Sequence, residues 1–180
     1  MSVAVPSRLY ARPSAVKPLA GVRVAVKDNF RLAGTKSAVG NRPFLATYDV
    51  DEETAAFVKT LIDLGAVIVG KTKMTAFASG EKPCDWFDFQ CPFNPRGDSY
   101  LEPGASSTGS AAATAAYHCM DICIGTDSMC LNLEELAETG LTGSPANGSV
   151  TEPAARCGVY GIRCSTDAWG PTTGLYPCSP

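Results

Sequence analysis

The chain has 180 residues, 45% of them hydrophobic and 18% charged, with a formal net charge of −3, which suits one domain, or part of a larger one, with room for a real core. That balance recommends neither nucleic acid nor an anionic membrane as a partner, and no apolar run approaches the roughly 20 residues of a transmembrane helix. Eight cysteines, at 84, 91, 119, 123, 130, 157, 164 and 178, form no CxxC pair and follow no secretory h-region. They read as reduced thiols filling small core sites of a cytoplasmic protein, not as a disulfide framework or a zinc site.

Residues 1–17 are basic and free of acids, as in a transit peptide, but Pro6 and Pro13, with Pro18 just beyond, interrupt any amphipathic helix; they read as a linker or lead-in. "GVRVAVKDNF" alternates β-branched residues, which predicts a strand over 22–26. "DEETAAFVKTLIDLG" opens with acids, spaces Phe57, Leu61 and Leu64 as a helix does, and closes on Gly65. "AVIVG" predicts a short, fully buried strand. Residues 80–101, rich in aromatics and proline, predict an ordered loop. "SSTGSAAATAAY" predicts Ser/Thr caps leading into an alanine-rich helix, and "MDICIG" a further buried strand. The order is an α/β alternation without internal repeats.

Several motifs are decoys. Gly65–Thr72, "GAVIVGKT", satisfies the G-x-x-x-x-G-K-T pattern of a phosphate-binding loop, yet Ala-Val-Ile-Val favours an extended strand whose N–H groups are already paired. "RGD" at 96–98 is a coincidence in a chain without secretory features. Asp85 and Asp88 are read as solvated loop carboxylates and not as metal ligands. The sequon Asn147-Gly148-Ser149 matters only in a secretory protein. The single histidine, His118, is read at a helix end.

Three features carry chemistry: Lys27 ending the strand in "VAVKDN", the Gly/Ser loop "PGASSTGSAAA" that introduces a helix, and a second such loop, "NGSVTEPAARCGVYGIR". Together they resemble the amidase signature family of serine hydrolases. "GVRVAVKDNF" is similar to its lysine strand and "GAVIVGKTKMTAFA" to the helix–strand that follows. "GASSTGSAAA" is similar to its GGSSGGSAAA, and "GTDS…NGS" before "CGVYGIR" to its GTDTGGS…CGVxGxKP. The resemblance spans residues 18–180 apart from one block. It implies an α/β domain with a mixed twisted sheet flanked by helices, incomplete on its C-terminal side.

The resemblance further implies hydrolysis of a C–N bond in a small non-peptide amide by a Ser–cis-Ser–Lys triad. Ser149 matches the nucleophile, Ser106 the bridging serine whose peptide bond is cis, and Lys27 the base. An amine with an ordinary pKa near 10.4 accepts protons poorly, so the family chemistry requires surroundings that keep it neutral. Thr126, Asp127, Asn147 and Gly148 match the oxyanion loop and its braces, and Ser107 a hydrogen-bonding neighbour of the triad. No metal or organic cofactor is implied, and the partner is a small-molecule amide. Ala105 and Asn147 stand where the family has glycines, and Thr151 where an arginine is common. Taken singly, Lys27 reads as a surface lysine, Ser106 and Ser107 as helix caps and Ser149 as a turn residue; their shared register carries the functional reading.

Residues 129–146, "MCLNLEELAETGLTGSPA", have no counterpart in that pattern and separate GTDS from NGS. A lid or a specificity insertion is one reading. The genetic code admits another: the codons of Ser128–Cys130 can contain GTATGT, the usual start of a fungal intron, those of Leu141-Thr142 a CTAAC branch point, and those of Pro145-Ala146 a terminal CAG. Excision then removes a whole number of codons and leaves Gly-Thr-Asp-Thr-Asn-Gly-Ser. The expectation is therefore a translated intron inside the loop. The family domain also runs well beyond Pro180. A truncated, catalytically inactive fragment, or a chain used only for binding, is the alternative to an active hydrolase.

Overall fold

The structure, a computed structural model, describes residues 5–7, 9, 11–79, 81–82, 85–127, 148–164 and 175–176. Its centre is β1 (Arg23–Lys27), in which the β-branched Val24 and Val26 are buried on the sheet. Helices α1 (Arg42–Thr47) and α2 (Ala56–Asp63) lead to β2 (Val67–Thr72). After a 3₁₀ turn at Ala76–Ala78, the chain runs without a strand or α-helix among its described residues to α3 (Thr108–Ala116), then β3 (Ile122–Ile124) and, beyond the block, α4 (Thr151–Arg156).

The strands form one sheet in the order β2–β1–β3, all parallel. Val24 pairs with Ile68 and Ala25 with Gly70, so Val69 bulges out of the β1–β2 register. The mixed character expected of the sheet is limited, among the described residues, to one antiparallel bridge between Phe30 and Leu175. Val24, Val26, Phe30, Ala55, Val58 and Ala66 make the core, with Leu19, Phe57, Leu61, Ile68 and Ile124 packed around it.

Several expectations shift. The first strand runs one residue later than 22–26, which brings Lys27 into the ladder opposite Thr72. Helix α2 begins at Ala56, not in "DEET", where the side chains of Asp51 and Thr54 are engaged elsewhere. Asp51 accepts the hydroxyls of Ser37 at 2.7 Å and Tyr176 at 2.6 Å, and Thr54 Oγ1 accepts the Ala33 N–H at 3.1 Å. Strands β2 and β3 are half-buried instead of fully buried, since each flanks β1 on one side only. Helix α1 was not foreseen; Asn41 caps it by accepting the Phe44 N–H at 2.8 Å, with Pro43 in its first turn.

The decoys are absorbed by the fold. Lys71 lies on β2 and pairs with Asp28 at 3.0 Å, so the phosphate-loop pattern is a strand. Asp85 accepts the Lys82 N–H and Asp88 the Arg42 N–H. His118 is exposed just beyond α3. Of the described cysteines only Cys157 is fully buried; Cys91, Cys119 and Cys123, the last on the flanking strand β3, are half-buried and Cys164 is exposed. Cys84, Cys130 and Cys178, and the whole block 129–146, lie outside the described residues.

Candidate active site

Strand β1 ends in a turn closed by the Phe30 N–H donating to the Lys27 carbonyl at 3.0 Å. Asp28 fixes that turn: its Oδ2 accepts the N–H groups of Ala38 and Val39, each at 2.8 Å, while Oδ1 pairs with Lys71. Lys27, on the same turn, is fully buried, so its ammonium or amine must be met by protein groups.

Those groups come from the loop before α3 and from the end of β3. Lys27 Nζ lies 2.8 Å from Ser106 Oγ, 2.9 Å from Ser107 Oγ and 3.3 Å from the Thr126 carbonyl. The Ser107 hydroxyl in turn donates to the same Thr126 carbonyl at 3.2 Å. Ser106 and Ser107 are both buried. Glycine at 125 is required here, because a Cβ would meet Ser107 Oγ at 2.7 Å.

Two expectations about this loop need correction. Neither Ser106 nor Ser107 caps α3: Ser107 stands at the N-cap position but makes no side-chain cap bond, its oxygen being taken by Lys27 and its proton by Thr126. The peptide bond of Ser106 is not cis, and no described peptide bond is. The chain turns instead through left-handed backbone at Gly104 (φ 70°) and Ala105 (φ 45°).

The segment holding Ser149 reaches the same place from beyond the block. The Ser149 carbonyl accepts the Ser107 N–H at 3.0 Å, and the Val150 N–H donates to Asp127 Oδ2 at 3.1 Å. Gly148 is buried so close to that carboxylate that a Cβ would meet Thr151 Oγ1 at 2.3 Å and Asp127 Oδ2 at 2.7 Å. Helix α4 is tied to the serine loop by Arg156, which pairs with Glu152 at 2.8 Å and Glu102 at 3.3 Å. Its carbonyl also accepts Asn94 Nδ2 at 2.8 Å. Hydrogen bonds thus join Lys27, Ser106, Ser107, Thr126 and the Ser149 backbone; Asp127 binds the next residue, Val150, Gly148 packs against that carboxylate, and Asn147 lies outside the described residues.

Sequence reasoning missed Asn29. It is buried, and its Nδ2 donates to Thr126 Oγ1 at 3.1 Å. The signal available was its place two residues beyond Lys27 in "VKDN", a polar residue in a turn leaving a buried strand.

A family model described as Amidase matches residues 7–128. A glutamyl-tRNA(Gln) amidotransferase subunit from Deinococcus deserti is 42% identical over 146 residues, covering 81% of this chain and 25% of its own length. Among solved structures, an amidase family protein from Bacillus anthracis superposes with a TM-score of 0.55 at 25% identity, over 77% of this chain and 24% of its own. The allophanate hydrolase of Kluyveromyces lactis does so with a TM-score of 0.52 at 28% identity, over 61% of this chain and 17% of its own. With the lysine strand, the serine loop and the helix after it matched in order, the chain belongs to the amidase signature family. It spans about a quarter of the length of the curated relatives it matches.

Proposed function

We propose that this chain carries the nucleophile, relay and base of an amide hydrolase that cleaves the C–N bond of a small non-peptide amide through an acyl-enzyme. The observation that carries the reading is the buried Lys27 Nζ 2.8 Å from Ser106 Oγ, on a loop bonded to the backbone of Ser149.

In this reading Lys27 is a neutral amine, and the donors and acceptors around it support the roles. A neutral amine has two N–H donors and one lone pair. The Thr126 carbonyl can only accept, so one N–H goes there. Ser107 gives its own proton to that carbonyl, so it accepts the second. The lone pair is left for the proton of Ser106, whose oxygen is then free to take the proton of Ser149. As Ser149 Oγ attacks the carbonyl carbon, its proton passes to Ser106 and that of Ser106 to Lys27. Lys27 returns a proton through Ser106 to the departing amine nitrogen as the C–N bond breaks, leaving the acyl-serine. Water then attacks the acyl group, giving a proton to the same relay, and the acid leaves as Ser149 recovers its proton. Backbone N–H groups of the loop ending at Ser149 supply the charge stabilisation for the tetrahedral oxygen, each donor being worth about 10²–10³ in rate.

A fluorophosphonate probe tests this. The full chain is expected to be labelled at Ser149, with Ser149→Ala unlabelled and Lys27→Ala slower by about 10²–10⁴. Label that persists in Ser149→Ala overturns the assignment. A chain that takes no label supports instead a binding-only or inert role.

A further inference from the structure

We infer that Asn29 is a positioning residue for this site, holding Thr126 so that the Lys27 lone pair faces Ser106. The inference rests on the proposed roles of Lys27, Ser106 and Ser149 and adds a residue to them.

The Thr126 carbonyl is the acceptor on which the direction of the relay turns, since both Lys27 and Ser107 donate to it. Were that carbonyl to rotate away, the amine would lose one acceptor and the Ser107 hydroxyl would be free to turn its proton toward Lys27. The lone pair could then face either serine. Thr126 leaves a three-residue strand and precedes Asp127, so its orientation depends on side-chain contacts. Its hydroxyl accepts Asn29 Nδ2 at 3.1 Å.

Asn29 is itself well fixed. It is 1% exposed, its carbonyl accepts the Tyr176 N–H at 2.9 Å, and its turn is braced by Asp28 against Lys71 and the Ala38 and Val39 amides. The turn that presents the base therefore also presents the clamp on the base's acceptor. A shift of the turn moves both together, which keeps Lys27 and the Asn29 clamp in register with Thr126. An amide is suited to this place: it donates to the threonine hydroxyl and carries no charge of its own.

The test uses the full chain, with Asn29→Ala, the near-isosteric Thr126→Val, Thr126→Ser and the Asn29→Ala/Thr126→Val double variant. Two readouts are taken: the pH dependence of fluorophosphonate labelling at Ser149, and the nitrogen chemical shift of Lys27 Nζ in lysine-labelled protein. Asn29→Ala and Thr126→Val are each expected to slow labelling about tenfold, the weight of one buried hydrogen bond. Each should also displace the pH profile and move the Lys27 signal. The double variant should be no slower than the worse single one, because both remove the same contact. Thr126→Ser, which keeps an acceptor for Asn29, should recover most of the loss. If Ser149 is labelled in every variant at the parental rate and the Lys27 signal does not move, the positioning role is overturned and the catalytic assignment stands. If the parent takes no label, the catalytic assignment fails, and the Lys27 signal alone decides: movement in Thr126→Val sustains the clamp, and no movement overturns it. Should Asn29→Ala not fold, Thr126→Val carries the same decision.

Discussion

Asp127 and Val150 stand 23 positions apart in the chain and are joined by a 3.1 Å hydrogen bond, the Val150 N–H donating to Asp127 Oδ2. The carboxylate is nearly buried, and its other oxygen faces Arg163 Nε at 4.0 Å, a charge contact too long for a hydrogen bond. Together with the Ser107–Ser149 backbone bond, this contact brings the two ends of the loop to one place whatever lies between them.

The first prediction follows from that closure. A chain lacking residues 129–146 is expected to fold, with an unfolding midpoint within about 4 °C of the parent, because the bonds that hold Gly148–Val150 involve Asp127 and Ser107. It should label at Ser149 at least as fast as the parent, since a short loop brings oxyanion donors together. Thermal unfolding and labelling rates check both statements. A deletion chain that unfolds, or labels more slowly, shows that the block contributes to the site and removes the reading of it as translated intron.

The second prediction separates two adjacent serines. Both oxygens lie within 2.9 Å of Lys27 Nζ, yet only Ser106 has its proton free for the amine lone pair in the arrangement above. Ser106→Ala is therefore expected to slow labelling by about 10²–10⁴. Ser107→Ala loses two orienting hydrogen bonds, to Lys27 and to the Thr126 carbonyl, but keeps the relay, and should slow it by about tenfold. Rates measured side by side decide the matter: equal losses, or the reverse order, would assign the relay to Ser107.

The third prediction concerns thiols. Burial raises the pKa of Cys91, Cys123 and Cys157. At Cys91 a hydrogen bond with Thr108 opposes the shift, and at Cys157 the charge of Arg96 does. A raised thiol pKa means less thiolate at a given pH, so alkylation should stay slow at about pH 8 and keep rising at pH values where an ordinary cysteine has levelled off. Among the described cysteines, exposed Cys164 should react first. A time course of iodoacetamide modification, read peptide by peptide, checks the order; Cys157 reacting as fast as Cys164 would contradict its burial.

Much of the framework was legible before the structure. Val24 and Val26 alternate as a strand must, "SSTGSAAATAAY" is a helix of small residues, and the order of Lys27, the serine loop and the GTD segment matches the family model that covers 7–128. Less legible was where "DEET" goes. Its acids look like the start of a helix, and only the approach of Ser37 and Tyr176 takes Asp51 elsewhere. The cap reading of Ser107 failed for the same reason: a serine before a helix ordinarily caps it, unless a distant lysine claims its oxygen.

What the sequence determined by itself is local or periodic: the alternation that buries β1, the glycines that permit close turns, and the placing of a lysine at a strand end and serines in small-residue loops. The tertiary structure decided that two neighbouring hydroxyls, those of Ser106 and Ser107, both meet the buried Lys27 amine. It also decided that Asp28 pairs with Lys71, and that Asn29 meets Thr126 across 97 positions of chain. The reason is physical: strand and helix patterns repeat over a few residues, whereas a hydrogen bond has a direction, and which partner receives it depends on groups that folding alone brings within about 3 Å.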